Sequence, residues 1–219
     1  RPNGTVHSLT TEKTSTCSME QVGKKEMKRA LRQQLNSVLR TVPPSEIETQ
    51  GESVATQVLA HPVFQSSTNI GVYLHMGAEL PTSTIVSFLL DPQNQKKCFI
   101  PHILPGNNMK FVRVEGKEDL ESFVKNKWGI PEPPNPDERE DIYSSGGHLD
   151  LILCPGLGFD TQNQRLGRGK GYYDRYIQKA ISSSHPPPKL IGIALKEQKV
   201  DSVPTDAHDI PMDEVLFPN

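Results

Sequence analysis

Residues 165–174 read Arg-Leu-Gly-Arg-Gly-Lys-Gly-Tyr-Tyr-Asp, and this stretch restricts what the chain can fold into more than any other. Three glycines alternate with two cations, Arg168 and Lys170. Glycine permits positive φ and lets backbone N–H groups come close to a ligand. Downstream, Tyr173, Tyr176, Ile177, Ala180 and Ile181 recur at helical spacing, which predicts a helix with one buried face. Upstream, Leu149, Leu151, Ile152 and Leu153 predict a buried strand that ends at Pro155. A strand, a basic glycine-rich loop and a helix start bring free N–H groups and the positive end of a helix dipole to one point. Such a point is an anion site, and a phosphate suits it. A solvated turn is the plainer reading of a short Gly/Lys/Arg loop; the flanking strand and helix favour phosphate. Neither standard nucleotide motif is present. Gly171, not Ser or Thr, follows Gly169-Lys170, and the glycines are spaced GxGxG rather than GxGxxG.

The rest of the chain alternates helical and strand patterns. Met27, Leu31, Leu35, Val38 and Val42 predict a helix over 24–42 with those residues inward. Ile47, Val54, Val58 and Leu59 predict a second over 45–61, after the break at Pro43-Pro44. Residues 69–75 form a strand pattern, and Pro81-Thr82 opens a helix carrying Ile85, Phe88 and Leu89. Strands follow at 97–103 and 109–114, a short helix at 116–123, a strand at 190–195 and a last apolar run at 215–217. This order predicts an α/β fold: three layers, α/β/α, around a mainly parallel central sheet. Residues 24–219 are expected to form one domain, and the polar, aperiodic residues 1–23 a disordered tail.

Composition excludes several classes. The net charge of −2 argues against a general nucleic-acid binder. Three cysteines, Cys17, Cys98 and Cys154, show no zinc spacing, which suits a reducing, cytoplasmic setting. Cys98 and Cys154 lie in apolar runs and are expected in the core. No apolar run approaches the ~18 residues of a membrane span. The expected partners are small molecules, with no nucleic acid and no membrane, and the chain is expected to act as a monomer.

Several residues carry two readings. Lys24, Lys25, Lys28, Arg29 and Arg32 crowd the first turns of a helix, where cations oppose the dipole; they are a solvated face or a second contact to an anion. Glu79 follows the strand at 69–75, where ligands sit in α/β sheets, or it serves as helix-start charge. Asp174 turns away from the Tyr173–Tyr176–Ile177 stripe and faces the loop mouth, or it balances the dipole. Trp128 anchors the Pro-rich acidic loop that follows it, or stacks on a flat ligand. Asp206, His208, Asp209, Asp213 and Glu214 cluster before the last apolar run.

With these residues laid out, the chain resembles the 5-formyltetrahydrofolate cyclo-ligase family, from about Lys24 to the C-terminus. The resemblance rests on Lys28-Arg29-Ala30-Leu31-Arg32, Tyr73-Leu74-His75-Met76 with Glu79 and Thr82, Trp128-Gly129-Ile130-Pro131, and Pro155-Gly156-Leu157-Gly158-Phe159-Asp160. The string from Arg165 to Asp174, and Asp209 with Met212-Asp213-Glu214-Val215, complete it. The family implies ATP as co-substrate and Mg²⁺ as cofactor, in the closure of 5-formyltetrahydrofolate to 5,10-methenyltetrahydrofolate with release of ADP and phosphate. By resemblance, Lys28, Arg29, Ala30, Leu31 and Arg32 contact ATP, together with Arg165, Leu166, Gly167, Arg168, Gly169, Lys170, Gly171, Tyr172 and Tyr173. Arg168 and Lys170 are the expected catalytic cations. Leu74, Glu79, Arg168, Gly169, Lys170, Gly171 and Tyr172 are expected on the folate side, and Asp174 with Asp209 at the metal. Two rivals stand beside this reading: a non-catalytic nucleotide- or RNA-binding module using the basic loop, and a sugar-phosphate isomerase on a similar scaffold.

Overall fold

In the strands, successive residues alternate between two separate cores, as the two-residue side-chain period of a strand requires. The computed structural model describes the backbone of residues 11–219 except 127, 128, 130, 137, 140, 144 and 184, and side chains from Val22 onward. Six strands make the central sheet: β1 (Asn69–Gly71), β2 (Lys97–Leu104), β3 (Asn108–Val114), β4 (Leu151–Cys154), β5 (Lys189–Ile193) and β6 (Glu214–Leu216). Their spatial order is β6-β5-β4-β1-β2-β3. All neighbours are parallel except β2 and β3, an antiparallel hairpin at one edge. The expected mainly parallel sheet between helical layers is what the chain forms.

Leu151 and Leu153 of β4 and Ile191 and Ile193 of β5 face one core. Against it pack α1 (Thr11–Leu39), α2 (Pro44–Ala60), α3 (Pro62–Ser66) and α4 (Ser83–Leu89). Ile152 and Cys154 face the other, which is covered by Tyr176, Ile177 and Ala180 of α6 (Tyr172–Ile181). A short α5 (Lys117–Glu121) follows β3. Pro62 cannot continue α2 because it lacks an N–H; it opens α3 instead, whose first turn is capped by His61 Nδ1 accepting from Val63 N–H at 3.2 Å. Cys98 and Cys154 are buried as expected, and burial pushes both thiols up to about 12.

Four local expectations are corrected. Helix α1 starts at Thr11 rather than Lys24, and the stretch from 11 to 23 contains no proline to stop it. Residues 1–10 lie outside the described residues. Within α1, Leu35 is buried as expected, but Met27 and Val38 are exposed and Lys28 and Leu39 are buried instead, because the Lys28 ammonium finds two carboxylates inside. Strand β1 ends at Gly71: Val72 N–H still donates to Phe99 O at 2.9 Å, but Tyr73 then bends away. Its carbonyl accepts from Thr82 Oγ1 at 2.7 Å and its hydroxyl donates to Leu80 O at 3.0 Å. Ile181, expected inward, is exposed at the end of α6.

The second core depends on small residues around Phe159, which is fully buried. A methyl group at Gly192 would stand 2.8 Å from its ring, and one at Gly156 2.6 Å. Gly192→Ala is therefore expected to lower stability by about 1–3 kcal/mol through overpacking. Urea unfolding checks this, and a variant within ~0.5 kcal/mol of wild type would show that the ring can move aside.

Candidate active site

Chain segments leaving the sheet after β1 and β4 enclose a cavity of about 390 Å³. One wall comes from the β2–β3 hairpin: Ile100, Pro101, His102, Ile103 and Met109. The opposite wall is the loop from Pro155 to Tyr173, and Tyr73, Leu74, Met76 and Glu79 close a third side. Asn126 and the segment from Pro131 to Pro133 complete it. The lining is mostly apolar with a few charges, the usual character of a small-molecule site.

The loop after β4 is built in two steps. Gly158-Phe159 and Arg165-Leu166 pair as a small antiparallel ladder. The buried Asp160 holds it, accepting from Gln162 N–H (2.9 Å), Gln164 N–H (3.0 Å) and Val203 N–H (2.8 Å). The chain then runs through Gly169 at φ 97° and Gly171 at φ 65°, conformations that strain any residue with a Cβ. Gly171 precedes α6, and no side chain caps that helix. Its first N–H groups thus remain without intrahelical partners, the condition for anion binding.

Arg165 is built into this loop rather than exposed on it. Its side chain is 4 % exposed. Nη2 donates to Asp174 Oδ1 at 2.9 Å and Nη1 to Pro155 O at 3.3 Å. The guanidinium also lies over the Tyr173 ring, 5.4 Å from its centroid. Asp174 therefore has a partner that neither reading of its position foresaw.

Arg168 faces the cavity and pairs with Glu79 Oε1 through Nε (3.0 Å) and Nη2 (2.9 Å). The other oxygen of Glu79 accepts from Met76 N–H at 3.1 Å. Helix α4 begins later, at Ser83, so the Glu79 carboxylate is a wall of the cavity and not a helix-start charge. Arg168 also borders a second cavity, of about 300 Å³, between Asn36 and Leu39 of α1, Arg40 just after it, and residues 76–78. Lys170 is exposed at the cavity rim, and Tyr172 and Leu74 line the cavity.

Helix α1 reaches the loop at two places. Arg32 Nε donates to Gly167 O at 2.8 Å. Lys28, 8 % exposed, places its Nζ 2.6 Å from Asp206 Oδ2 and 2.5 Å from Asp209 Oδ2. Burial lowers the pKa of this ammonium, but hydrogen bonds and charge from Asp206 and Asp209 outweigh it, and the result lies above the ordinary lysine value. The bond from Lys28 likewise holds Asp206 below the ordinary carboxylate value. Of the other α1 residues expected at ATP, Arg29 and Ala30 are exposed, and Leu31 packs on the core. Leu166 is buried among core residues, so only its backbone is available to a ligand.

Asp209 lies beside Asp174 in the chain path: Ile210 N–H, one residue on, donates to Asp174 Oδ1 at 3.5 Å. Asp206, His208 and Asp209 bring ligand atoms within 4.8 Å of one another, while Asp174 stays with Arg165. The carboxylate oxygens of Asp174 and Asp209 are hard donors, the type Mg²⁺ takes, and the contacts at Asp174 engage one oxygen, Oδ1. The donor chemistry of these residues fits a hard divalent cation. Trp128 lies outside the described residues.

Sequence reasoning missed the walls contributed by β2 and β3 and the clamp made by Arg175. Arg175 donates from Nε (3.0 Å) and Nη2 (2.6 Å) to Asn107 O and also binds Lys170 O. It ties the hairpin tip to the loop. Its place, one turn into a helix whose other face is apolar, was the one local signal.

The geometry defines a small-molecule enzyme site in which an anion-binding loop forms one wall of an apolar cavity. Residues 24–218 match the model of the 5-formyltetrahydrofolate cyclo-ligase family, and the chain belongs to that family of ligases. A mouse protein named 5-formyltetrahydrofolate cyclo-ligase is 39 % identical over 191 residues, covering 87 % of this chain and 93 % of that one. A Caenorhabditis elegans protein named probable 5-formyltetrahydrofolate cyclo-ligase is 34 % identical over 197 residues, covering 88 % and 93 %. The solved structure of Aquifex aeolicus 5,10-methenyltetrahydrofolate synthetase is 26 % identical, with a TM-score of 0.69 over 86 % of this chain and 88 % of that one.

Asp174→Asn is expected to lower stability by about 3 kcal/mol, because it leaves the buried Arg165 charge without its counter-ion. Urea unfolding measures this. Wild-type stability in the variant would show that the pair does not hold the loop.

Proposed function

We propose that this enzyme uses ATP and Mg²⁺ to close 5-formyltetrahydrofolate to 5,10-methenyltetrahydrofolate, releasing ADP and phosphate. The observation that carries the reading is the position of Arg168 and Lys170: both line a cavity that also contains the buried Glu79 carboxylate and the apolar hairpin wall. A flat pterin fits an apolar wall beside a carboxylate that accepts N–H bonds, with Leu74, Glu79 and Tyr172 as its neighbours.

The chemistry follows from the substrate. A formamide oxygen is a poor leaving group. The formyl oxygen attacks the γ-phosphorus of ATP and ADP leaves, which gives an imidate phosphate. N10 of the folate then adds to the same carbon and loses its proton to solvent, and phosphate departs with the former formyl oxygen. Phosphoryl transfer is catalysed mainly by positioning and charge stabilisation. The N–H groups of residues 169–172, with Arg168 and Lys170, supply both at the cavity wall. Arg168 is engaged by Glu79, so a pterin that bonds to Glu79 would free it towards the transferring phosphate. Arg32, held on Gly167 O, and Lys28 face the nucleotide side. Asp174 and Asp209 would hold Mg²⁺, which when bound neutralises charge on the phosphates.

Residues 24–219 act as one catalytic domain in this reading, working as a monomer in the cytoplasm. The buried thiols of Cys98 and Cys154 suit a reducing compartment. Among the described residues no helix is long and apolar enough to cross a membrane.

The direct test is the absorbance of methenyl-folate formed from 5-formyltetrahydrofolate, with and without ATP and Mg²⁺. Product formed only when both are present supports the proposal; none under any condition, or product without ATP, overturns it. Lys170→Ala is expected to lower turnover about 10²–10³-fold with an unchanged melting temperature, since the side chain is exposed and contributes no core packing. Near wild-type turnover at saturating ATP would remove Lys170 from the chemistry.

A further inference from the structure

We propose that Asp206 is a positioning residue for Lys28, keeping its ammonium in place when Asp209 exchanges that ammonium for the metal. The inference rests on the reading that Lys28 meets the nucleotide and Asp209 the metal. Residues 206–209 form a turn closed by its own backbone. Asp209 N–H donates to Asp206 O at 3.1 Å, and Asp206 N–H donates to Asp209 Oδ2 at 2.7 Å. That same Oδ2 accepts from Lys28 Nζ. One carboxylate oxygen therefore accepts from both a backbone N–H and a buried ammonium.

A divalent cation at Asp209 brings a second positive charge against Lys28. The ammonium would then be drawn off Asp209, and a buried charge without a partner is costly. Asp206 Oδ2, 2.6 Å from Nζ, is the partner that remains. It is more exposed than Asp209, 26 % against 15 %, so the pair can shift outward towards a phosphate without leaving Lys28 alone. The rival role for Asp206 is direct metal ligation, since its carboxylate lies with His208 and Asp209 in one group of ligand atoms.

A double-mutant cycle separates these roles. Lys28→Gln, Asp206→Asn and the double variant are titrated by calorimetry with adenylyl imidodiphosphate, with and without Mg²⁺ and in the absence of folate; thermal melts verify folding. Asp206→Asn is expected to weaken binding of the analogue about tenfold with Mg²⁺, and by less without it, where Asp209 still holds Lys28. The double variant is expected to bind no more weakly than Lys28→Gln alone. Asp206→Glu, which keeps the charge, is expected to recover most of the loss.

If Lys28→Gln leaves analogue binding unchanged, the nucleotide reading of Lys28 fails and the proposal falls with it. If Lys28→Gln weakens binding but Asp206→Asn changes only the melting temperature, the nucleotide reading stands and the positioning role is overturned. A loss at Asp206→Asn that adds fully to that of Lys28→Gln in the presence of Mg²⁺ assigns Asp206 to the metal instead and equally overturns it.

Discussion

A guanidinium taken almost wholly out of water sets the geometry of this site. Arg165 leaves the small ladder after β4 and turns inward, where Asp174 and the carbonyl of Pro155 receive it. The bond to Asp174 joins the start of the glycine loop to the first turn of α6, so the five residues between Leu166 and Tyr172 form a closed span. A buried ion pair is weak evidence for net stability, because desolvation opposes the attraction. Its value here is geometric: with both ends of the span tied, glycines at 169 and 171 take positive φ and turn the loop towards the cavity.

Other tethers then bring separate parts of the chain to that loop. Arg32 of α1 holds Gly167 O, and Arg175 of α6 holds both Lys170 O and the tip of the β2–β3 hairpin at Asn107. The apolar wall of the cavity and its glycine-rich basic wall are thus fixed relative to each other by arginines that bind backbone carbonyls. Arg168, by contrast, points into the cavity and is held by Glu79. The proposed transfer from a nucleotide phosphate to a folate oxygen would need that division, because a small error in position costs rate steeply.

The architecture was legible because each strand and most helices carry local apolar patterns, and the loop was legible because glycine and charge recur within ten residues. The buried face of α1 was not. Periodicity assigns a lysine outward and a methionine inward, whereas Lys28 goes in to meet acids far along the chain and Met27 is left exposed. The pairing of Arg165 with Asp174, and of Glu79 with Arg168, was hidden for the same reason: ion pairs across a fold leave no trace in local spacing. The hairpin wall was visible as two strands, but which of their faces meets a ligand depends on the edge position that β2 and β3 take in the sheet. The role proposed for Glu79 came from the family resemblance; position alone left the helix-start reading open, and the contacts to Met76 and Arg168 close it.

The central claim is that the loop delivers a phosphoryl group onto the formyl oxygen of a folate lying in the adjoining cavity. It is tested most directly with 5-formyltetrahydrofolate labelled with ¹⁸O in the formyl group. After a single turnover with unlabelled ATP, the released inorganic phosphate is analysed by mass spectrometry. The account predicts one ¹⁸O atom in the phosphate for each methenyl-folate formed. Methenyl-folate accompanied by unlabelled phosphate, with the label lost to water, would contradict it.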